Sequence, residues 1–235
     1  FRSENSNTPR HLSEFWMIEP EVAFADLDDI IDLAADYIKY LINYALVNSQ
    51  EDLKTLLKFN ECEEHLEVLA QVRDSEFKKI TYTEAINILQ ESGEKFEFPT
   101  KWGSELQTEH ERYLTDIHFE APVAVTDYPK GCKAFYMKQN DDNKTVRAMD
   151  MLVPGVGEII GGSQREDSLE KLESRIDELG MDSEALWWYR DLRRFGTAPH
   201  AGFGLGFERV LMYISKMKNI RDVIPFPRTP QNAEF

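Results

Sequence analysis

Cysteine is scarce in this sequence, and the two that occur form no recognisable cluster. Cys62 and Cys132 stand far apart, and neither belongs to a C-x-x-C pair. A disulfide framework needs several paired cysteines and a thiolate metal site needs closely spaced ones, so the sequence excludes both. We expect each cysteine to act as a small hydrophobic residue.

Long apolar runs are also missing. No stretch approaches the roughly 20 consecutive apolar residues that a transmembrane helix needs, and no basic segment followed by an apolar one stands at the start. The sequence therefore predicts a soluble, cytoplasmic protein with neither a membrane span nor a signal peptide.

Basic residues are outnumbered, since 27 Lys and Arg face 43 Asp and Glu and leave a net charge of −16. Such a charge opposes broad, unspecific binding to nucleic acid, which depends on neutralising phosphates. A local basic site remains compatible with it. With 42% hydrophobic residues, the 235-residue chain is long enough to bury a full core as one domain.

Three familiar site signatures are absent as well. The glycines of 202–206 are spaced two and two, whereas a dinucleotide-binding fingerprint has G-x-G-x-x-G. The run 161–165 does not end in G-K-[ST], so it is not a P-loop. His110 and His118 are eight positions apart and lack the H-E-x-x-H pattern of zinc proteases. We expect His65 to be a surface residue of an acidic helix.

The most informative stretch is 202–209. On an extended strand, Gly202, Gly204 and Gly206 lie on one face and leave it bare, and Arg209 follows where the strand turns into a helix. This arrangement suits a nucleotide, with a flat base or ribose over the glycines and a guanidinium on phosphate oxygens. The alternative is a packed strand whose glycines make room for a neighbouring helix.

The first 24 residues predict a long hairpin, because an Asn/Ser/Thr/Pro cluster separates two short apolar runs. The segment is dense in charge of both signs around Phe15 and Trp16: Arg2, Glu4, Arg10, His11, Glu14 and Glu19. The alternative to a functional site here is a salt-bridged hairpin with a tryptophan in the core.

Periodicity predicts the remaining elements. Helices are expected over 26–48, 49–59, 61–72, 83–92, 105–114, 167–179 and 183–194, the last with Trp187, Trp188 and Leu192 inward. Strands are expected over 122–128, 133–138, 145–152 and 158–160. Strands that follow helices favour an α+β fold with a mostly antiparallel sheet flanked by helices. We expect one domain over 1–235, with a helical insertion at about 49–120.

Two carboxylates on neighbouring strand segments, Asp150 and Glu158, form a candidate divalent-cation site because Mg²⁺ prefers oxygen ligands. The alternative is an ordinary solvated acidic pair.

Several motifs together resemble a known family. Phe1-Arg2-x-Glu4, Arg10-His11-x-x-Glu14-Phe15 and the Gly-x-Gly-x-Gly-x-x-Arg run that ends at Arg209 resemble motifs 2 and 3 of class II aminoacyl-tRNA synthetases. The stretches 14–21 and 221–230 are similar to those of bacterial-type asparaginyl-tRNA synthetases, and the similarity covers essentially the whole chain.

The resemblance implies the catalytic core of an ATP-dependent, Mg²⁺-using ligase that activates asparagine and charges tRNA(Asn) in protein biosynthesis. It implies a catalytic role on the α-phosphate for Arg2, and γ-phosphate contacts for His11 and catalytic Arg209. It implies that Phe15 stacks on adenine, and that Glu4 lies near the adenine amino group. Gly206 completes the nucleotide site.

For the amino acid, the resemblance implies that Arg165 donates to the asparagine side-chain oxygen and Glu19 accepts from its NH₂. An aspartate would meet Glu19 with like charge, which is costly in a desolvated pocket. The resemblance also implies that Asp150 and Glu158 carry Mg²⁺.

The family pattern also includes parts that this sequence lacks. An anticodon-binding OB domain and the motif 1 that builds a homodimer are expected before motif 2. We therefore expect a C-terminal catalytic fragment that, without these parts, binds poorly, misassembles or fails to charge tRNA. Three alternatives stay open: an asparagine synthetase on the same fold, an aspartyl-tRNA synthetase relative, and a non-catalytic paralogue.

Overall fold

The computed structural model describes residues 8–232 and 234, and it divides into two compact units. The first unit comprises Ala35–Glu76 with the described parts of Phe1–Glu19 and Gly204–Phe235, and the second comprises Pro20–Ala34 and Phe77–Phe203. Arg2 and Glu4 lie outside the described residues.

A mixed, mostly antiparallel sheet forms the second unit. Its strands are β2 (Glu21–Ala23), β3 (Lys78–Thr81), β4 (Val123–Pro129), β5 (Thr145–Val153), β6 (Gly157–Gln164) and the first residues of β7 (His200–Gly206). The order is β2-β7-β6-β5-β4-β3. The β2–β7, β4–β5 and β5–β6 pairs are antiparallel, whereas β3 and β4 run parallel.

Helices flank this sheet: α4 (Tyr82–Glu91), α5 (Thr108–Arg112), which continues as a π-helix over Tyr113–His118, α6 (Leu169–Glu178) and α7 (Trp187–Arg194). Helix α4 begins at a capping box in which Thr81 and Glu84 satisfy each other's backbone N–H groups. Its buried face, with Tyr82, Ile86 and Leu89, packs in one cluster with apolar residues of β4 and β5. Burial of such side chains is the main stabilising term of the unit.

The first unit is mostly helical. It contains most of α1 (Leu27–Asn48), then α2 (Gln50–Phe59), α3 (His65–Asp74) and α8 (Phe207–Ser215). The short strand β1 (Met17–Ile18) pairs with the end of β7, with Met17 opposite Gly206. Between α3 and α8, the His65 ring lies at a hydrogen-bonding distance of 2.7 Å from the Tyr213 carbonyl oxygen.

The predicted fold class is confirmed, and most predicted helices and strands are present, but three expectations were wrong. His65 is 1% exposed instead of lying on the surface. Trp187, Trp188 and Leu192 are more than half exposed, because α7 is anchored by Arg193, which donates to the Glu166 carbonyl oxygen at 2.8 Å. The segment 133–138 forms only an isolated bridge at Met137, not a strand.

None of the helices in the described part of the chain is long and apolar enough to cross a membrane.

Candidate active site

Alternate residues of β7 are glycines, and residues of the segment 17–21 lie over them. In the first unit, a Cβ added at Gly204 would meet Met17 Cε at 2.9 Å and Glu19 Oε1 at 3.5 Å. In the second unit, a Cβ at Gly202 would meet the Pro20 carbonyl oxygen at 2.5 Å. The glycines therefore admit a neighbouring strand segment and its carboxylates, whereas the packing alternative predicted a neighbouring helix.

Arg209 lies in the first turn of α8, and its neighbour Glu208 fixes that turn. Glu208 is 3% exposed, and both of its carboxylate oxygens accept from the Trp16 backbone N–H at 3.0 Å. Within residues 8–232 and 234, the Arg209 side chain has no hydrogen bond or ion pair. A guanidinium at the start of a helix, next to aligned backbone N–H groups, is suited to bind an anion.

The loop that carries His11 is tied to the C-terminal segment of the same unit. His11 Nδ1 lies 2.5 Å from Thr8 Oγ1. The Ser13 N–H donates to the Arg228 carbonyl oxygen at 2.9 Å, and the Arg228 guanidinium pairs with Glu14 at 3.2 Å. Phe15 follows and is half-buried. These contacts order the loop residues that the sequence assigned to the nucleotide.

Arg165, at the end of β6 in the second unit, is held from two sides. Its Nε and Nη2 donate to the two oxygens of Glu21 at 2.8 and 2.9 Å, and Nη1 donates to Ser163 Oγ at 2.5 Å. The guanidinium also lies 5.3 Å from the centroid of the Tyr136 ring. Although burial works against the charge, the hydrogen bonds and negative charge of Glu21 raise the pKa of Arg165. The group stays a cation.

This geometry leaves part of the guanidinium for a ligand. Of the five N–H groups of arginine, Glu21 and Ser163 engage three. The remaining two, one each on Nη1 and Nη2, can bind a carbonyl or carboxylate oxygen. Sequence reasoning missed Glu21, although it stands two residues after Glu19 and so shares its face on an extended strand.

Gly202 is part of the same arrangement. Besides the clash with the Pro20 carbonyl oxygen, a Cβ at Gly202 would enter the space of the Glu21 carboxylate. The Glu21–Arg165 pair therefore depends on glycine at this position.

Asp150 on β5 and Glu158 on β6 are brought together over Gly161, also in the second unit. A Cβ at Gly161 would meet Glu158 Oε1 at 3.1 Å and Asp150 Oδ1 at 3.5 Å. No group of three or more His, Cys, Asp or Glu residues that could hold a metal occurs among residues 8–232 and 234. Two carboxylates suit Mg²⁺, which keeps several waters and is often held by one or two carboxylates together with substrate phosphates.

Comparison with known proteins places these features in a family. The family model of tRNA synthetases class II (D, K and N) matches residues 1–230. The chain belongs to this family of class II tRNA synthetases. An asparagine–tRNA ligase of Acetivibrio thermocellus is 62% identical over all 235 residues, which is 50% of that protein's length.

Solved class II synthetases have the same fold. An asparaginyl-tRNA synthetase from Pyrococcus horikoshii, complexed with asparaginyl-adenylate, aligns with a TM-score of 0.87 and 43% identity over 99% of this chain and 51% of its own. An aspartyl-tRNA synthetase from Entamoeba histolytica aligns with a TM-score of 0.83 and 30% identity over 99% of this chain and 47% of its own. The chain thus spans about half the length of the class II synthetases it matches.

Proposed function

We propose that this chain is the catalytic domain of an asparagine–tRNA ligase, with a helical insertion at about 49–120. The enzyme activates asparagine with ATP and transfers it to tRNA(Asn). The observation that carries the proposal is the 62% identity, over the whole chain, to an asparagine–tRNA ligase. The greater identity to the solved asparaginyl enzyme than to the aspartyl one, 43% against 30%, supports the same choice.

In the proposed reaction, the asparagine carboxylate attacks the α-phosphorus of ATP, a new P–O bond forms, and pyrophosphate leaves. Such chemistry asks the protein mainly to hold the reactants in line and to place positive charge around the phosphates. We assign the γ-phosphate to Arg209 and His11. The ordered loop that holds His11 and the guanidinium at the start of α8 support this assignment.

Further nucleotide contacts are assigned by position in the motifs. Phe15 stacks on adenine, Gly206 leaves room for the nucleotide, Arg2 contacts the α-phosphate and Glu4 lies by the adenine amino group. A Cβ added at Gly206 would lie 3.5 Å from Arg209 Cβ, so a side chain at this position would take up space beside Arg209.

Mg²⁺ neutralises the charge of the polyphosphate when it is bound. We assign its protein ligands to Asp150 and Glu158, whose oxygens flank Gly161. With only two carboxylates, these residues supply a part of the shell, and phosphate oxygens and waters supply the rest.

For the side chain of the amino acid, we assign the donor to Arg165 and the acceptor to Glu19. Two N–H groups of Arg165 are not used by Glu21 or Ser163, and this supports the donor role. Glu19 is exposed and its carboxylate accepts no hydrogen bond from the described part of the chain, which supports the acceptor role. Because a carboxylate acceptor repels aspartate, this pair favours the amide.

The proposal extends to the whole protein at its natural length: a cytoplasmic homodimer, with an anticodon-binding domain, that takes part in translation. The strong negative charge of the chain, −16, is compatible with tRNA contacts only at local basic positions such as Arg10.

ATP–pyrophosphate exchange on the full-length protein tests the proposal. Asparagine should support exchange and aspartate should not. Exchange that requires aspartate instead would favour the asparagine synthetase or aspartyl alternative, and no exchange with either amino acid would favour a non-catalytic paralogue.

A further inference from the structure

A lysine lies in direct contact with the proposed magnesium ligands. Lys133 follows a short 3₁₀ turn, Lys130–Cys132, and its Nζ donates to Asp150 Oδ2 at 2.6 Å. The two side chains are only 17% and 13% exposed. This ion pair is therefore largely shielded from water, and its charges interact strongly.

The same ammonium group packs on an aromatic ring. Lys133 Nζ lies 3.9 Å from the centroid of the Tyr128 ring. Asp150 is thus held by an ammonium group that is itself packed on an aromatic ring.

Two further carboxylates of the described residues, Glu158 and Glu111, lie near this pair. Glu158 Oε1 lies beside Asp150 Oδ1 over Gly161, and Glu111 accepts from the Glu158 N–H at 3.1 Å. The charges of Glu111 and Glu158 both reach the Tyr128 hydroxyl. This part of the second unit therefore holds three carboxylates, one of which is paired with the Lys133 ammonium group.

We propose that Lys133 is a built-in counter-cation that competes with the divalent ion for Asp150, so that the ion binds well only together with the nucleotide polyphosphate. The inference rests on the proposed role of Asp150 and Glu158. Lys133 is a positioning residue: it contacts a metal ligand and neither the substrate nor the reacting atoms.

The physical argument has two steps. Without an ion, Lys133 offsets the repulsion between Asp150 and its acidic neighbours. It holds Asp150 Oδ2 in a hydrogen bond, and the other oxygen, Oδ1, lies on the side of Glu158. When a divalent ion approaches that oxygen, the ammonium repels it over a few ångströms in a poorly screened site. The negative charge of a triphosphate removes this penalty, so ion and nucleotide bind cooperatively.

The test is a titration of the full-length protein with MnCl₂, in which electron paramagnetic resonance reports free Mn²⁺. Lys133→Met should bind Mn²⁺ alone at least about tenfold more tightly than the unmodified protein, because one unit charge is removed beside the ion. Lys133→Arg, which keeps the charge, should bind as the unmodified protein does. In Lys133→Met, the gain in Mn²⁺ affinity on adding ATP should shrink by a similar factor.

Equal or weaker Mn²⁺ binding by Lys133→Met would overturn the inference. Should this variant fold poorly, millimolar Mg²⁺ should restore its thermal unfolding transition, because the ion replaces the lost charge, and failure to restore it counts against the inference. Lys133→Gln, which is also uncharged but keeps a donor, should bind Mn²⁺ more tightly as well.

Two further variants separate this inference from the proposed function. Asp150→Asn and Glu158→Gln should each weaken Mn²⁺ binding strongly. If neither does, the magnesium site itself is wrong. If both do while Lys133→Met fails to tighten binding, only the counter-cation role is wrong.

Discussion

Glu21 provides the sharpest test of how the amino acid is read, because it holds Arg165 with two hydrogen bonds. Glu21→Gln replaces one of the two accepting oxygens by an NH₂ group, so either Nε or Nη2 of Arg165 loses its partner. A hydrogen bond to a charged group contributes about 1.5–3 kcal/mol. Glu21 is 46% exposed, and water replaces part of that loss.

We therefore expect a loss of about 1.4 kcal/mol in transition-state stabilisation, which is about tenfold in kcat/KM for asparagine. The free energy of unfolding should fall by less than about 1 kcal/mol, as for other solvent-accessible ion pairs. Pyrophosphate exchange and urea unfolding measure the two quantities on the same preparation.

A matched control comes from the Arg194–Asp191 pair, which is also partly exposed and has an N–O distance of 2.9 Å. Asp191→Asn should leave kcat/KM for asparagine unchanged. Should Glu21→Gln behave like this control, the pair with Arg165 does not position the substrate-reading group, and the reasoning is refuted.

Three other predictions concern both units. Glu19→Gln should lower the asparagine-to-aspartate ratio of kcat/KM by about tenfold or more, because like-charge repulsion against aspartate is lost; an unchanged ratio in pyrophosphate exchange would remove Glu19 from the site. Arg209→Ala should lower kcat/KM for ATP by about 100-fold, the usual cost of removing one charge-stabilising donor, and a change below threefold in the same assay would contradict the assignment. Burial lowers the pKa of His65 to about 4 from its ordinary 6.5, so its neutral form is favoured in the folded state. Its contribution to stability is therefore present above pH 6.5 and is lost as the pH falls towards 4, by up to about 3 kcal/mol. Urea unfolding at pH 7 and pH 4 should show this loss, and His65→Gln should show a smaller one; an equal pH dependence of the two proteins would contradict it.

Helix and strand prediction succeeded where one face of an element is apolar. The helix α1 was expected at 26–48 and runs over Leu27–Asn48, because Ile30, Ala34, Ile38 and Ile42 recur on one face and are almost fully buried. Strand β3 was missed, because its sequence KKIT is half exposed and carries little apolar signal. Its parallel pairing with β4 depends on contacts that are distant in the sequence.

The prediction for α7 was wrong because it relied on the size and apolarity of the tryptophan side chains. Tryptophans were expected inward, but Arg193 is the buried residue of that helix, with its Nε on the Glu166 carbonyl oxygen and its guanidinium over the Tyr189 ring. A buried arginine needs specific hydrogen-bond partners, and sequence periodicity does not reveal where those partners are.

The residue types of the candidate site could be found from motifs, but their pairings could not. Glu21 pairs with Arg165 across the fold, 144 positions away in the sequence, and the space for this pair comes from Gly202. Lys133 likewise reaches Asp150 from a different segment. The Glu21–Arg165 pairing depends on the register of β2, β6 and β7, which alternation of residues alone does not determine.

The most direct measurement is calorimetric titration of the full-length protein with non-hydrolysable analogues of asparaginyl-adenylate and aspartyl-adenylate. A site that reads the amide through Arg165 and Glu19 should bind the asparaginyl analogue at least about 100-fold more tightly, because the aspartyl analogue leaves two carboxylates facing each other. Equal affinities, or a preference for the aspartyl analogue, would contradict the account.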